Sequence, residues 1–161
     1  MSRTHPSGYR LALIALLLPL IMQSPLNAQR HSESESAEVY ETVVRYQIKS
    51  WKLTADSYCV SIAGKDPTKD FLQRFEPLPV KGASGCRKQT KEKVSVEVLD
   101  KKSGKRSVIY DLEAIRWINE NEAEVPGGYF CASLCMASGT YRVVREGTQW
   151  VVKGYDVRIQ S

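Results

Sequence analysis

Histidine is nearly absent from this chain. The 161 residues include two histidines, His5 and His31, and both precede the segment in which regular structure is predicted. An imidazole-free domain excludes Ser-His-Asp and Cys-His nucleophilic catalysis and His-ligated metal centres, and it lacks the usual general base near neutral pH. The composition therefore argues against most common hydrolase chemistry, and we expect no cofactor and no bound metal.

The chain also lacks an apolar run long enough to span a membrane. Residues 11–22 are almost wholly apolar, but a transmembrane helix needs roughly 20 such residues. Arg3 and Arg10 precede this run and Ala28 follows it, an arrangement typical of a secretory signal peptide with a small residue at its cleavage site. We therefore predict a signal peptide over residues 1–28 and a periplasmic or secreted product without a stable membrane span. A retained anchor is the alternative.

Residues 29–161 carry no strong excess of positive or negative charge. They carry 21 basic and 18 acidic side chains, because segment 1–28 holds two basic residues and no acidic one. This mild excess does not predict binding to nucleic acid. The basic residues nevertheless concentrate in one part of the sequence: Lys81, Arg87, Lys88, Lys91, Lys93, Lys101, Lys102, Lys105 and Arg106. Solvated loops are one interpretation of this stretch, and contact with an anionic glycan or phospholipid of the cell envelope is the other.

Helical periodicity is confined to the early part of the predicted mature chain. The polar stretch 29–36 contains no apolar residue and is predicted to be a disordered leader. A single α+β domain is predicted over 37–161, and it opens with an amphipathic helix over 37–51. A short strand over 58–62 follows. A second helix is predicted within 66–77, where an Asp-Pro pair opens it and another proline ends it.

The period of the apolar residues changes to two after residue 93. Five stretches alternate in this way: 94–98, 108–118, 122–131, 141–145 and 149–159. The residues expected on the inner face are Trp117, Trp150, Val152, Tyr155 and Val157. Gly154 marks a bulge where the alternation slips by one. The predicted fold is of the α+β class, with an amino-terminal helix and a second short helix packed on a curled antiparallel sheet of about five strands, stapled by disulfides.

Four cysteines follow the predicted signal peptide, at positions 59, 86, 131 and 135. In an exported chain they predict two disulfides, for which three connectivities exist. We favour Cys59–Cys86 and Cys131–Cys135, because each cysteine then pairs with a near neighbour in the sequence. Residues four apart in a regular strand are roughly 13 Å apart, so the second pair requires the chain to bend. A thiol redox pair and a four-cysteine zinc site are the functional alternatives.

The order of the predicted elements resembles a known architecture. A helix, a short strand, a second helix and a long curled antiparallel sheet ending in a Trp-containing hairpin resemble nuclear transport factor two-like, or cystatin-like, proteins. Several short stretches also resemble a group of small exported bacterial proteins with no assigned activity: Ile115-Arg-Trp117, Glu124-Val125, Gly127–Cys131 with Cys135, Ser138–Gly147 and Trp150–Lys153. This resemblance implies export, the cysteine pairs and the fold, and it carries over no catalytic residue.

Proteins of the transport-factor-like fold often have a conical pocket between helix and sheet, and the resemblance implies such a pocket here. Its candidate lining residues are Tyr40, Tyr58, Asp111, Glu113, Arg116, Trp117, Tyr129 and Tyr155. Tyrosine and tryptophan at alternating strand positions also fit core packing. Asp111 and Glu113 share one face of a predicted strand, so they fit either paired carboxylates or solvated edge charges.

These observations leave two classes of function open. The first is a non-catalytic binding or interaction module of the bacterial envelope that holds a small ligand, a glycan or a protein. The second is a transport-factor-like enzyme with a carboxylate and tyrosine pocket. Within the first class, Ser138-Gly139 and Tyr141, followed by Trp150 and Lys153-Gly154, are similar to a motif of periplasmic lysozyme inhibitors, in which a loop plugs the enzyme's cleft.

Overall fold

The structure is a computed structural model that describes residues 31–91 and 95–161. Within these residues it contains one long helix, one helix of little more than a turn and nine strands. The elements are α1 Glu33–Trp51, β1 Ser57–Ile62, α2 Lys69–Gln73, β2 Val80–Gly82, a 3₁₀ turn Ala83–Gly85, β3 Cys86–Lys91, β4 Ser95–Asp100, β5 Ser107–Leu112, β6 Arg116–Asn119, β7 Glu122–Ala132, β8 Cys135–Glu146 and β9 Gln149–Gln160. No helix in this part of the chain is long and apolar enough to cross a membrane. The predicted signal peptide, residues 1–28, lies outside the described residues.

Helix α1 begins where the sequence offers a capping serine. The Ser32 hydroxyl accepts a hydrogen bond from the Glu35 amide at 3.1 Å, and the acidic first turn complements the positive end of the helix dipole. Residues 33–36, predicted to be part of a disordered leader, therefore form the first helical turn. The helix ends at Trp51 because Lys52 adopts a left-handed conformation with φ of 46°. The side chains that α1 buries are Val39, Val43, Val44 and Gln47.

Strand β1 lies between two parallel neighbours. It pairs in parallel with β2 and with β5, whereas the other paired strands are antiparallel. The connection from β1 to β2 contains α2, as expected of the crossover that parallel neighbours need. The sheet runs in the order β2-β1-β5-β7-β4-β3, with β6 and β8 also paired to β7 and β9 paired to β8.

The prediction of about five antiparallel strands with two packed helices is wrong, because the described residues form a mixed sheet of nine strands with one long helix. Strands β2 and β3 lie in a stretch rich in proline, glycine and lysine, a composition typical of a loop. The predicted strand 108–118 is divided into β5 and β6, and α2 spans only five residues. Hydrogen bonds to strands distant in the sequence define these short strands, so local patterning does not reveal them.

Apolar side chains pack on both faces of the sheet. One face carries the main core beneath α1 and α2, where Val39, Phe75, Tyr110 and Tyr141 are fully buried. On the opposite face the β3–β4 hairpin covers a smaller cluster, made of Cys59, Cys86 and Val98 with Ile109 and Phe130 packed against it. The remainder of this second face, over β6–β9, carries exposed charged side chains.

Strands β7 and β8 approach each other so closely that one position accepts only glycine. A Cβ atom on Gly128 would overlap the carbonyl oxygen of Ala137 on the neighbouring strand. Farther along, Arg142 pairs with Gly154, but the residue after Arg142 pairs with Val152, so one residue of β9 is left over. This bulge lies next to Gly154, where the slip in alternation predicts it.

Candidate functional site

The space between α1 and the sheet, where a pocket is predicted, is filled by aromatic side chains. Tyr141 stacks on Tyr155 with ring centroids 4.2 Å apart, and Trp51 packs edge-on against Tyr155 at 5.7 Å. The Gln47 amide donates a hydrogen bond to the Tyr141 hydroxyl at 2.9 Å. Burial raises the pKa of Tyr141 far above its usual value, because a phenolate would lose its hydration there. Tyr141 is therefore a neutral packing group.

Two further tyrosines of the predicted pocket belong to the same core. Tyr58 stacks on Tyr110 at a centroid distance of 5.8 Å, and Tyr129 lies 5.0 Å from the ring of Trp51. Tyr129 is 8% exposed, which leaves little of its ring for a ligand. Contacts with other aromatic rings therefore account for these side chains.

Tyr40 connects α1 to the sheet. Trp117 contacts His31, the residue that precedes the Ser32 cap of α1. The Tyr40 hydroxyl donates to the Glu113 carbonyl oxygen at 3.1 Å and accepts from the Ile115 amide at 3.3 Å. The Trp117 ring stacks on the ring of His31 with centroids 3.6 Å apart. Both side chains thus make contacts within the protein at the edge of the predicted pocket.

The sheet separates the predicted carboxylates from the tyrosines. Asp111 is exposed and stands between the buried Tyr110 and Leu112 on β5, so its side chain projects from the opposite face. Glu113, two residues later, is exposed as well. Asp111, Glu113 and Tyr129 line one groove of about 220 Å³, although the Tyr129 ring itself packs against Trp51. The lining of this groove does not include Tyr40, Tyr58 or Tyr155.

The four cysteines form the two pairs that the sequence predicts. Cys59 and Cys86 are joined with their Cα atoms 6.2 Å apart, and Cys131 and Cys135 are joined at 5.3 Å. The second pair bridges the β7–β8 hairpin, whose turn at residues 133–134 supplies the bend that this short spacing requires. Within residues 31–91 and 95–161 no cysteine is free, and no three His, Cys, Asp or Glu side chains are gathered as a metal site.

The exposed face over β6–β9 contains a groove rich in arginine, of about 480 Å³, which we call the arginine groove. Arg116 pairs with Glu124, Nη2 to Oε2, at 2.8 Å, and Arg142 donates from Nε to the Glu122 Oε1 at 2.6 Å. Arg158 forms no ion pair with any residue that the structure describes. The lining residues are Arg116, Glu124, Thr140, Arg142, Gly154, Tyr155, Asp156 and Arg158.

Ion pairing orients these guanidinium groups without using all their donors. A guanidinium carries five N–H donors, and the bond to Glu122 uses the one on Nε of Arg142. That hydrogen bond and the negative charge of Glu122 also raise the pKa of Arg142, so its charge is retained. Glu124 and Asp156 add carboxylate acceptors to the same groove. Donors and acceptors side by side can bind a hydroxyl-rich ligand that also carries an acid group.

Sequence reasoning identified Arg116 but missed Arg142 and Arg158. Arg142 stands between the buried Tyr141 and Val143 in an alternating strand, and this pattern alone places its side chain away from the core. Exposed arginines at such positions are common, however. The meeting of all three arginines depends on the pairing of β6 with β7, β7 with β8 and β8 with β9, which the sequence does not show.

A second cleft, of about 590 Å³, lies between α1 and α2. Its polar groups are bonded largely within the protein, since the Ser84 amide donates to Asp66 at 2.9 Å and Arg74 pairs with Glu41 at 3.3 Å. The hydrogen bonds from Ser84 lower the pKa of Asp66. Its lining holds more carboxylates (Glu33, Asp66 and Asp70) than cations (Lys65 and Arg74), whereas three arginines outnumber two carboxylates in the arginine groove.

Comparison of the chain with protein-family models, with curated proteins and with solved structures returned no match. The resemblance to transport-factor-like proteins consequently stays a prediction. The arrangement of this chain's own side chains is what bears on its function.

Proposed function

We propose that this protein is an exported, non-catalytic binding module of the bacterial envelope, and that it holds an acidic glycan in the arginine groove. The observation that carries the proposal is the gathering of Arg116, Arg142 and Arg158 around one groove of about 480 Å³. Three guanidinium groups on β6, β8 and β9 of one sheet form a site for carboxylate or phosphate, because planar N–H pairs match the geometry of these anions.

The mixed polarity of the groove supports a glycan rather than a simple anion. Glu124 and Asp156 accept hydrogen bonds from hydroxyl groups, whereas the arginine donors bind an acid substituent. A simple anion would be repelled by both carboxylates. An acidic saccharide uses donors and acceptors together, since its hydroxyls face the carboxylates while its acid group faces the arginines.

Binding without catalysis is supported by how the other polar groups are placed. The core tyrosines are engaged with aromatic neighbours, and Asp111 projects from the face opposite to them. An acid-base mechanism needs its proton donor and acceptor within hydrogen-bond reach of one reacting atom. The tyrosines and carboxylates of the predicted pocket are not arranged in that way.

Export is supported by the signal-like segment and the two cysteine pairs. Disulfides form and persist in oxidising compartments such as the periplasm. Amino-terminal sequencing of the exported protein is expected to read from Gln29. Recovery of residues 1–28 on the protein in a membrane fraction would contradict cleavage and favour a retained anchor.

The binding proposal is tested with two disaccharides that differ in one acid group. Isothermal titration with N-acetylglucosaminyl-N-acetylmuramic acid is expected to show saturable binding, and N,N′-diacetylchitobiose, which lacks the carboxylate, is expected to bind at least about tenfold more weakly. Arg158→Gln is expected to lower the affinity for the acidic probe by about tenfold, since a hydrogen bond to a charged group contributes about 1.5–3 kcal/mol.

Lys105→Gln provides the matched control. It removes one exposed positive charge from outside the groove and leaves the arginines in place. An equal loss of affinity in both variants would indicate non-specific attraction by net charge. Absence of binding to both disaccharides in the wild-type protein would reject the glycan proposal.

A further inference from the structure

The smaller groove, of about 220 Å³, adjoins the arginine groove on the same face of the sheet. Thr140 lines the arginine groove and Ser138 lines the smaller one, and alternate residues of a strand project from one face. The two grooves therefore meet between these two side chains. On this face the directly opposed residues of β7 and β8 are Glu124 with Arg142, Pro126 with Thr140, Gly128 with Ser138, and Phe130 with Met136.

Small residues form the floor where the two grooves meet. Gly128 has no side chain, and Ser138 opposite it has a short one. Larger side chains flank this floor, because Asp111 of β5 is opposite Gly128 and Asp156 of β9 is opposite Thr140. The grooves thus form one channel, which we call the β7–β8 channel, floored by residues 124, 126, 128 and 130 of β7 and 136, 138, 140 and 142 of β8. From residue 124 to residue 130 the strand rises roughly 20 Å.

The end of the channel away from the arginines combines apolar surface with charge. Phe130 and Met136 are half-buried there, and they offer apolar contact to the C–H groups of a sugar ring. The carboxylates of Asp111 and Glu113 form no ion pair with residues 31–91 or 95–161, so they can accept hydrogen bonds from hydroxyl groups. The Lys88 ammonium lies 4.5 Å from the centre of the Phe130 ring. Acceptors, a cation and apolar surface therefore recur beyond the arginine groove.

We propose that the β7–β8 channel binds a linear acidic glycan of at least two disaccharide repeats, laid along the strands. One acid group binds at Arg116, Arg142 and Arg158, and the next repeat lies over Phe130 and Met136. This binding mode rests on the proposed function of the arginine groove and extends it from one acid group to a chain. A chain is the fitting occupant because the two grooves are continuous along one pair of strands.

The required chain length is tested with two saccharides that have the same repeat. The probes are N-acetylglucosaminyl-N-acetylmuramic acid and the tetrasaccharide that contains this disaccharide twice. Isothermal titration of the wild-type protein is expected to give an affinity at least about tenfold higher for the tetrasaccharide, since both halves of the channel are then occupied. In amide NMR spectra the peaks of Phe130 and Met136 are expected to shift with the tetrasaccharide and not with the disaccharide.

Two variants test whether the second repeat lies in the channel. Ser138→Trp fills the floor beyond the arginine groove and is expected to reduce the preference for the tetrasaccharide from at least about tenfold to about twofold. Gln160→Trp is the matched control, because Gln160 is exposed and pairs with the core-facing Ala137, so the same ring is added on the opposite face. Asp111→Ala is expected to lower the affinity for the tetrasaccharide by about tenfold, while Asp70→Ala on α2 does not.

The outcomes separate the channel from the arginine groove. If the wild-type affinities for the two saccharides differ by no more than about twofold, the statistical advantage of two repeats, the channel is overturned while the groove proposal stands. A preference for the tetrasaccharide that survives both Ser138→Trp and Asp111→Ala would place the second repeat elsewhere and would also overturn the channel. Failure of the wild-type protein to bind either saccharide would reject both proposals.

Discussion

Trp150 contributes a large, nearly buried side chain to the main core. Its side chain is 6% exposed, its ring lies 5.7 Å from that of Trp117, and the Arg145 guanidinium lies 4.6 Å above it. Trp150→Ala is expected to lower the stability by about 3–5 kcal/mol, the usual cost of truncating a buried tryptophan. Thermal unfolding followed by circular dichroism measures this loss. A variant that melts like the wild-type protein would mean that Trp150 does not support the core.

The carboxylate of Asp100 joins several strands through polar contacts. Asp100 is 3% exposed, and its carboxylate pairs with the ammonium of Lys81, the middle residue of β2. It also accepts from the Ser57 hydroxyl at 3.0 Å and from the amides of Lys102 and Ser103 at 2.7 and 2.9 Å. Strands β1, β2 and β4 and the turn before β5 are thereby connected through one side chain.

The stability of the protein should depend on the ionisation of Asp100 at acid pH. The Lys81 ammonium, and after it the Ser103 amide, hold the pKa of Asp100 below its usual value of 3.8. A carboxyl whose pKa is lower in the folded state stabilises above the unfolded pKa and loses that contribution as the pH falls below it. Asp100→Asn is therefore expected to lower stability at pH 7 and to weaken the decline below about pH 4.

Urea unfolding at pH 7 and pH 3 measures both effects of Asp100→Asn. Asp111→Asn is the control, because it removes an exposed carboxylate from β5. If the free energy of unfolding of Asp100→Asn falls between pH 7 and pH 3 by as much as that of the wild-type protein, Asp100 does not govern the acid response.

Among the elements, the β7–β8 pair has the strictest steric requirement. Gly128 and Gly154 lie in the same sheet but have different surroundings. A Cβ atom on Gly128 would overlap the Ala137 carbonyl oxygen, whereas a Cβ atom on Gly154 would meet nothing within 4 Å. Gly128→Ala is expected to destabilise by about 1–3 kcal/mol, since the strands must shift. Gly154→Ala is expected to change the melting temperature little. Equal melting temperatures for the two variants would contradict the close approach of β7 and β8.

The helices and strands that could be predicted from the sequence are those in which the periodicity of the apolar residues reflects burial of one face. The stripe of Val39, Val43 and Val44 shows α1, and alternation shows β5, β7, β8 and β9, although their ends differ by several residues. Strand β3 was missed because five of its six residues are exposed, so no period appears in its apolar residues. Parallel pairing of β1 with β2 and β5 could not be predicted, because both neighbours are far away in the sequence.

At the scale of the whole molecule, the two disulfides should differ in their contribution to stability. Cys59 and Cys86 are 27 residues apart in the sequence, and their disulfide holds the β3–β4 hairpin against the sheet. Cys131 and Cys135 are 4 residues apart. In the chain-entropy model these loops stabilise by about 3.5 and about 2 kcal/mol. Replacing Cys59 and Cys86 by alanine should therefore cost more than replacing Cys131 and Cys135.

Urea unfolding of the two paired variants measures this difference. Each variant serves as the control for the other, because both remove one disulfide and leave the other in place. A larger loss for the short loop would mean that contacts of residues 131–135 with β4, rather than chain entropy, dominate.

The sequence by itself predicted the export signal, the partners of the four cysteines, the principal helix and part of the main core, although Val157, expected on the inner face, is 42% exposed. These depend on local composition, spacing and burial periodicity, which a chain carries without its fold. Only the tertiary structure decided that the sheet is mixed, that a basic hairpin covers part of its second face, and that Asp111 projects from the face opposite to the rings of Tyr58 and Tyr129. It also decided the meeting of Arg116, Arg142 and Arg158. These features arise from pairing between distant segments, where the hydrogen bonds are made by backbone groups common to every residue, and side-chain pattern alone does not specify which strands will meet.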